Sequence, residues 1–333
     1  MKKIKAGLFG LGHLGKTHLK LIKEICSERN DIELTGIFDT DIEKNKIISE
    51  ENKLDINNSA DELISKINTA IIVTPTSAHF DIAIKCIENN VNTFIEKPVT
   101  ETTEQAEKLV AASSGKNIKI QIGHIERFNP AILALDNYKI APMFIETHRL
   151  SQFNPRGTDV SVIQDLMIHD IDIILNLVKS KVKKIDASGV AIITEKIDIA
   201  NARIQFENGC VANITASRIS LNKMRKMRLF QKYAYISIDF LQNTSEVFRL
   251  SDGKSLSGAE DNAIALTEFV QGDNTVKLFY ERPPVKEVNS MKYEQNKFFD
   301  SIVNDIEPLV TLEDGLQALE VANEIIRIIE NPV

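Results

Sequence analysis

An α/β fold is predicted, with an N-terminal doubly wound parallel sheet and a C-terminal α+β domain carrying a large, mostly antiparallel open sheet. Three observations predict it. A glycine turn, Gly10-Leu11-Gly12-His13-Leu14-Gly15, joins an apolar run at 4–9 to a helix-like stretch. Apolar strand-type runs then alternate with helical stretches to about residue 123, which demands right-handed βαβ crossovers and a parallel, Rossmann-type sheet. Beyond that point strand-type runs follow one another directly, the pattern of hairpin-connected antiparallel strands. At 333 residues the chain exceeds one typical domain, and about 150 residues per domain suggests two. The boundary is expected at 123/124, with a Rossmann-type domain over 1–123 and an α+β domain over 124–333. The closing helices could pack back on the first.

The elements follow in order. After the strand at 4–9 a helix is expected from 16 to 25, then a strand at 33–38, a polar helix to about Asn52, and a short helix from Ser59. The all-apolar run around 70–73 reads as a buried parallel strand, stopped by Pro75. A helix at 79–89, a strand at 92–95, a helix at 103–113 and a strand at 119–123 complete the alternation. Next come a helix at 127–137, a strand at 143–150 and an amphipathic helix at 163–177. Strands are expected near 185–194, 200–206, 209–217, 227–231, 234–240 and 246–250, joined by turns such as Glu207-Asn208-Gly209. Residues 251–274 are polar and read as loop-rich, and helices at 289–304 and 313–330 close the chain.

Composition narrows the function. The formal charge is −7 with both signs interspersed and Trp is absent, so neither a nucleic-acid footprint nor a stacking platform is expected. No run approaches the roughly 20 apolar residues of a membrane span, and no secretory h-region follows Met1; a cytoplasmic protein without membrane partners is expected. Cys26, Cys86 and Cys210 are scattered in apolar surroundings, unlike a disulfide framework or zinc site, and no metal is expected.

In the glycine turn, Gly10 permits the tight bend, Gly12 lets a pyrophosphate approach the backbone, and Gly15 lets helix pack on strand. Asp39 stands 24 residues past Gly15 at the end of the second strand, where an acid holds the adenosine ribose hydroxyls. With Thr40 and Asp41 following and no cation before Lys44, a ribose 2′-phosphate would meet negative charge; NAD is expected in preference to NADP. Gly10, Asp39, Pro75 and Lys97 end parallel strands, at the sheet edge where such folds hold ligands. His13, Leu14, Thr74, Thr76, His79 and Glu96 join this cofactor-binding set, with His13, His18 and His79 structural or cofactor-adjacent rather than catalytic.

Asp165, His169 and Asp172 are spaced four and three residues apart, which on a regular helix puts them within roughly 60° of one another. A His flanked by carboxylates is held in one tautomer and suits general-base work on an alcohol. Asp170 points elsewhere. A solvated helix histidine is the bland alternative.

Together, the glycine turn, Ile71-Ile72-Val73-Thr74-Pro75-Thr76 with His79, Glu96-Lys97-Pro98 and the Asp165/His169/Asp172 set resemble the Gfo/Idh/MocA oxidoreductases over nearly the whole chain. The closing 313–322 segment is similar to that family's terminal helix. The resemblance implies that Lys97 and His169, with Asp165, are catalytic: His169 takes the proton of a sugar hydroxyl, Lys97 hydrogen-bonds its oxygen, and hydride passes to nicotinamide. It implies a homodimer or homotetramer through the C-terminal sheet. Met167 departs from the family, where Gly is common; it could narrow the sugar pocket or pack in the core. The stretch Gly123-His124-Ile125-Glu126-Arg127-Phe128-Asn129-Pro130-Ala131 resembles members acting on nucleotide sugars, implying a UDP-linked amino sugar. His124, Arg127, Asn129, Arg149, Arg156 and Asp172 are the expected substrate-binding residues, the arginines suited to a diphosphate. Arg127 could instead pack beneath the site, and Arg149 and Arg156 could equally be ion-paired. Open alternatives are a free-sugar or inositol dehydrogenase, an NAD-dependent glycoside hydrolase, and a non-catalytic NAD-binding sensor.

Overall fold

In the computed structural model, which describes residues 3–155, 160–251, 263–271 and 274–331, the chain divides into two compact units. The first comprises Met1–Ile125 and Asn289–Leu319; the second comprises Glu126–Val288 and Glu320–Val333.

The first unit is built by alternation. Strands β1 (Ile4–Phe9), β2 (Ile32–Phe38), β3 (Thr69–Ile72), β4 (Asn92–Glu96) and β5 (Ile120–Gly123) are separated by helices α1 (His13–Glu28), α2 (Ile42–Glu51), α3 (Ala60–Lys66), α4 (His79–Glu88) and α5 (Thr103–Ser113). The five strands form one parallel sheet in the order β2-β1-β3-β4-β5. Strands β3 and β5 are buried along their whole length, because helices cover both faces of a doubly wound sheet. Ser59 caps α3 and Thr102 caps α5 with a full capping box, which starts each helix where its sequence signal lies. The strand order reverses between β1 and β3, the switch point at which such sheets open a crevice.

In the second unit a 3₁₀ turn at Ile125–Phe128 and the single-turn α6 (Pro130–Leu133) replace the expected helix at 127–137. Asn129 and Pro130 break it, Asn129 capping the new turn. Strand β6 (Phe144–Leu150), a π-turn at Ile163–Met167 and α7 (Ile168–Val178) follow. Then come β7 (Val182–Val190), β8 (Ile199–Phe206), β9 (Val211–Ser217), β10 (Met224–Gln231), β11 (Ala234–Asp239), β12 (Thr244–Ser251), β13 (Ile264–Gln271) and β14 (Asn274–Glu281). They form a nine-stranded sheet ordered β13-β14-β12-β11-β10-β6-β9-β8-β7, antiparallel except where β6 pairs with β9. Strands β13 and β14 correct the expectation of a loop through residue 274. Of the closing helices, α8 (Ser290–Val303) belongs to the first unit, where it packs on α1. Helix α9 (Leu312–Glu330) passes from the first unit into the second at Leu319/Glu320.

Candidate functional site

The crevice of the first unit is shaped by its glycines. Gly10 has φ 94°, which disfavours any side chain, and a Cβ there would lie 2.6 Å from the Val73 carbonyl oxygen. A Cβ on Gly15 would lie 2.0 Å from the Gly10 carbonyl oxygen, so α1 sits on the turn as closely as backbone allows. At Gly12 a Cβ would meet nothing within 4 Å. The protein's own packing does not require this glycine; the open space suits a group that approaches the backbone from outside. Helix α1 begins beside it without a side-chain cap, leaving first-turn N–H groups and the positive dipole end for an anion. His13 and Leu14 are exposed there.

Asp39 is tied to this turn. One carboxylate oxygen accepts the Leu11 N–H at 2.7 Å; the other accepts the Asp41 N–H at 2.9 Å and the Lys44 ammonium at 3.3 Å. A carboxylate offers about four lone-pair sites, so capacity remains for a ribose hydroxyl. Lys44, the first cation after Asp39, is brought by the first turn of α2 onto Asp39 and, at 3.5 Å, onto Asp41. Beyond β3, the Thr74 hydroxyl is buried without a protein partner, a polar atom left for a ligand; Pro75 is exposed and Thr76 half-buried. His79 is enclosed, with Nδ1 2.9 Å from the Pro98 carbonyl oxygen and Nε2 3.0 Å from that of Thr74. Burial lowers its pKa against the pull of these carbonyls and Glu96. Both ring nitrogens face the backbone of the two strand-end turns, so His79 ties these turns together at the crevice edge.

Lys97 is half-buried at the end of β4 and its peptide bond to Pro98 is cis. Glu96 is 8% exposed, with its carboxylate engaged inward: one oxygen is 2.9 Å from His18 Nε2 and the other accepts the Lys97 N–H at 3.3 Å. It supports the Lys97 turn from inside.

In the second unit the Asp165/His169 segment departs from regular helix. The π-turn contains Asp165 and ends just before α7, so the uniform 100° spacing does not hold between Asp165 and His169; such turns recur at functional sites. Both side chains are partly exposed. Met167 is fully buried and packs in the core. Asp172 accepts a bidentate pair from Arg127 at 2.8 and 2.6 Å. These two residues, expected to bind substrate, hold each other. Arg149 is 2% exposed and donates to Asp170 at 3.1 and 2.7 Å and to Glu126 at 2.7 Å; enclosed and engaged, it is not a diphosphate receptor, which corrects that expectation. Asn129 accepts the Ala131 N–H and donates to Glu126 and to the Phe240 carbonyl oxygen, so it is a cap rather than a pocket wall. His124 is buried in the first unit, and Arg156 lies outside the described residues. Gln295 carries no signal in the sequence that ties it to the site, and the partners of His18, Lys44 and Glu126 are visible only in the fold. For His18 the signal was its place on the apolar stripe of α1, with Leu19, Ile22 and Ile25.

Residues 4–124 match the model of an oxidoreductase family with an NAD-binding Rossmann fold, and residues 141–233 match the Gfo/Idh/MocA C-terminal domain. Over 271 residues the chain is 36% identical to UDP-N-acetylglucosamine 3-dehydrogenase of Acidithiobacillus ferrooxidans, covering 80% of this chain and 85% of that one. The chain belongs to the Gfo/Idh/MocA oxidoreductases. A solved structure of that A. ferrooxidans enzyme matches with a TM-score of 0.85 at 31% identity, covering 99% of both chains. Inositol 2-dehydrogenase of Rhizobium meliloti is 23% identical over 97% of this chain and 96% of its own. Levoglucosan dehydrogenase in complex with NADH and L-sorbose shares the fold, with a TM-score of 0.79 at 19% identity. This member is thus an NAD-binding oxidoreductase. The open space at Gly12, the uncapped start of α1, the spare capacity of Asp39 and the unpartnered Thr74 hydroxyl all fit a dinucleotide. Among the described residues no helix is long and apolar enough to cross a membrane.

Proposed function

We propose that this chain oxidises a secondary hydroxyl of a sugar, a UDP-linked amino sugar, with Lys97 and His169 as the catalytic pair. The observation that carries the reading is the 36% identity to UDP-N-acetylglucosamine 3-dehydrogenase over 80% of the chain. Bound NAD supplies the acceptor for the carbinol hydride. The Lys97 ammonium donates a hydrogen bond to the hydroxyl oxygen and favours the charge that grows there. A ring nitrogen of His169 accepts the hydroxyl proton, and Asp165 stabilises the imidazolium that results. The O–H electron pair becomes the second bond of the product carbonyl, the proton rests on His169, and the C–H pair would leave as the hydride that NAD accepts.

Incubation with NAD and a panel of UDP-sugars, free sugars and inositols tests the substrate. NADH is expected with UDP-linked amino sugars, and free UDP is expected to compete. Turnover of inositol, unaffected by UDP, would instead favour the reading suggested by the inositol dehydrogenase relative. We also propose a homodimer or homotetramer through the nine-stranded sheet. Its support is a row of neighbouring rings on successive strands, Phe144, Phe230, Tyr235, Phe248 and Tyr280, with centroids 5.0–5.8 Å apart. A monomeric mass in sedimentation would remove it.

A further inference from the structure

Three buried side chains from distant parts of the sequence meet behind the Lys97 turn. His18 on α1 is 0% exposed and Gln295 on α8 is 1% exposed. The Gln295 amide nitrogen is 2.7 Å from His18 Nδ1, and His18 Nε2 is 2.9 Å from a Glu96 carboxylate oxygen. An amide nitrogen only donates. With that nitrogen facing Nδ1, Nδ1 accepts and the Nε2 N–H donates a hydrogen bond to Glu96. The other Glu96 oxygen accepts the Lys97 backbone N–H. The donors thus run in one direction, from Gln295 through His18 to Glu96, and the carboxylate grips the backbone of the next residue.

Packing alone does not call for these groups. The His18 ring sits 5.8 Å from the Phe94 ring, where an apolar ring would serve as well. Buried polar groups are costly, the Gln295 amide oxygen here being buried without a protein partner, and the hydrogen bonds that are made lead to one backbone position. At Gly123 a Cβ would come within 2.9 Å of a Glu96 oxygen, so β5 also leaves room for this carboxylate orientation.

We propose that His18 and Gln295 are positioning residues which, through Glu96, fix the backbone at Lys97 and with it the ammonium used in the reaction. The proposal rests on the reading above in which Lys97 acts on the substrate oxygen. His18 and Gln295 touch neither cofactor nor substrate; their effect belongs in kcat rather than in NAD affinity.

His18→Phe keeps a ring against Phe94 and removes the donor. It is expected to lower kcat about tenfold or more while KM for NAD stays within about twofold. His18→Gln, which restores an N–H donor, is expected to recover most of the loss. Gln295→Leu should lower kcat less, and the double variant should be no slower than His18→Phe, because coupled residues are non-additive. Should His18→Phe fail to fold, Gln295→Leu carries the same comparison. An unchanged kcat, parallel changes in kcat and KM that follow the loss of Tm, or a His18→Gln variant as slow as His18→Phe would each overturn the proposal. Lys97→Ala separates the two levels: retained turnover would remove the catalytic reading. The amide exchange rate of Lys97 then decides positioning by itself: it is expected to rise in His18→Phe and in Glu96→Ala, which removes the acceptor, and a rate unchanged in His18→Phe overturns the proposal.

Discussion

Arg149 shows how one side chain can be misread and then understood. Strand β6 alternates, with Ile145, Thr147 and Arg149 on its buried face, so the guanidinium is carried inside, where it stacks on Phe240 and meets Asp170 and Glu126. Burial opposes its charge, and the two carboxylates outweigh burial and hold the arginine ionised, its pKa raised. The alternation was readable in the sequence; that its third member would be charged and still inward was not, because the paired carboxylates come from residues 126 and 170. Arg149→Met would strand both carboxylates, and a loss of about 3–5 kcal/mol is expected for breaking such a buried group. Urea unfolding at pH 7 checks it; a loss below about 1 kcal/mol would return Arg149 to the list of ligand-facing residues. Lys44 makes a different point, since its ammonium partly neutralises Asp39 and Asp41. Removing it should sharpen cofactor choice. For Lys44→Ala the ratio of kcat/KM with NAD to that with NADP is expected to rise about threefold, the scale of a partly exposed ion pair. A ratio that falls would show that Lys44 itself excludes the phosphorylated cofactor.

Where an element stops is decided by competition for its backbone groups, and the segment between β7 and β8 illustrates it. The apolar sequence Val190-Ala191-Ile192-Ile193 reads as a strand running to Thr194, yet β7 ends at Val190. Asp198 accepts the N–H groups of Ile192, Ile193 and Thr194 at 2.7–2.9 Å and the Thr194 hydroxyl at 2.8 Å, and so takes the donors a longer ladder would need. Burial would raise the Asp198 pKa, but these hydrogen bonds outweigh it and hold the carboxyl well below its usual range. A depressed folded-state value gives stability that is present above the unfolded pKa, near 3.9, and lost as pH falls through the folded one. Asp198→Asn is therefore expected to cost about 1.5–3 kcal/mol at pH 7, with the gap to wild type closing as pH falls below about 4. A gap that stays constant from pH 7 to pH 2 would mean the charge contributes nothing. The same competition explains what sequence reading reached. The parallel strands were legible because β3 and β5 are buried on both faces and read as apolar runs. Strand β13 was not, because it lies at the sheet edge with Ile264, Leu266, Phe269 and Val270 exposed, where no burial pattern forces alternation.

At the level of the whole molecule, the order of the sequence and the membership of the units part company. Residues 289–319 return to the first unit, and no local pattern announces this, because α8 is recognisable as a helix from its own periodicity but its partner is α1, 264–277 residues earlier at their contacts. Side chains join the two: Arg29 of the turn after α1 donates to Asn296 and Asp300, and Lys292 donates to Glu28. Phe298 adds a ring 5.9 Å from that of Phe94 on β4. The helix whose uncapped start is the proposed phosphate site is thus backed by α8, so a ligand that holds α1 should hold α8 with it. Linkage gives the size: NAD at 100 times its Kd adds about 2.7 kcal/mol to the state that binds it. Amides that exchange by opening of the first unit should slow by up to about 100-fold. The slowing is expected in β1, in α1 and equally in residues 290–303, while amides within the β8–β9 pairing of the second unit follow only their own opening. Hydrogen exchange with and without NAD reads this directly. Protection of α1 without protection of α8 would show that the returning segment opens on its own, and that the Gln295 end of the His18–Glu96 chain is not part of the cofactor-binding unit's cooperative core.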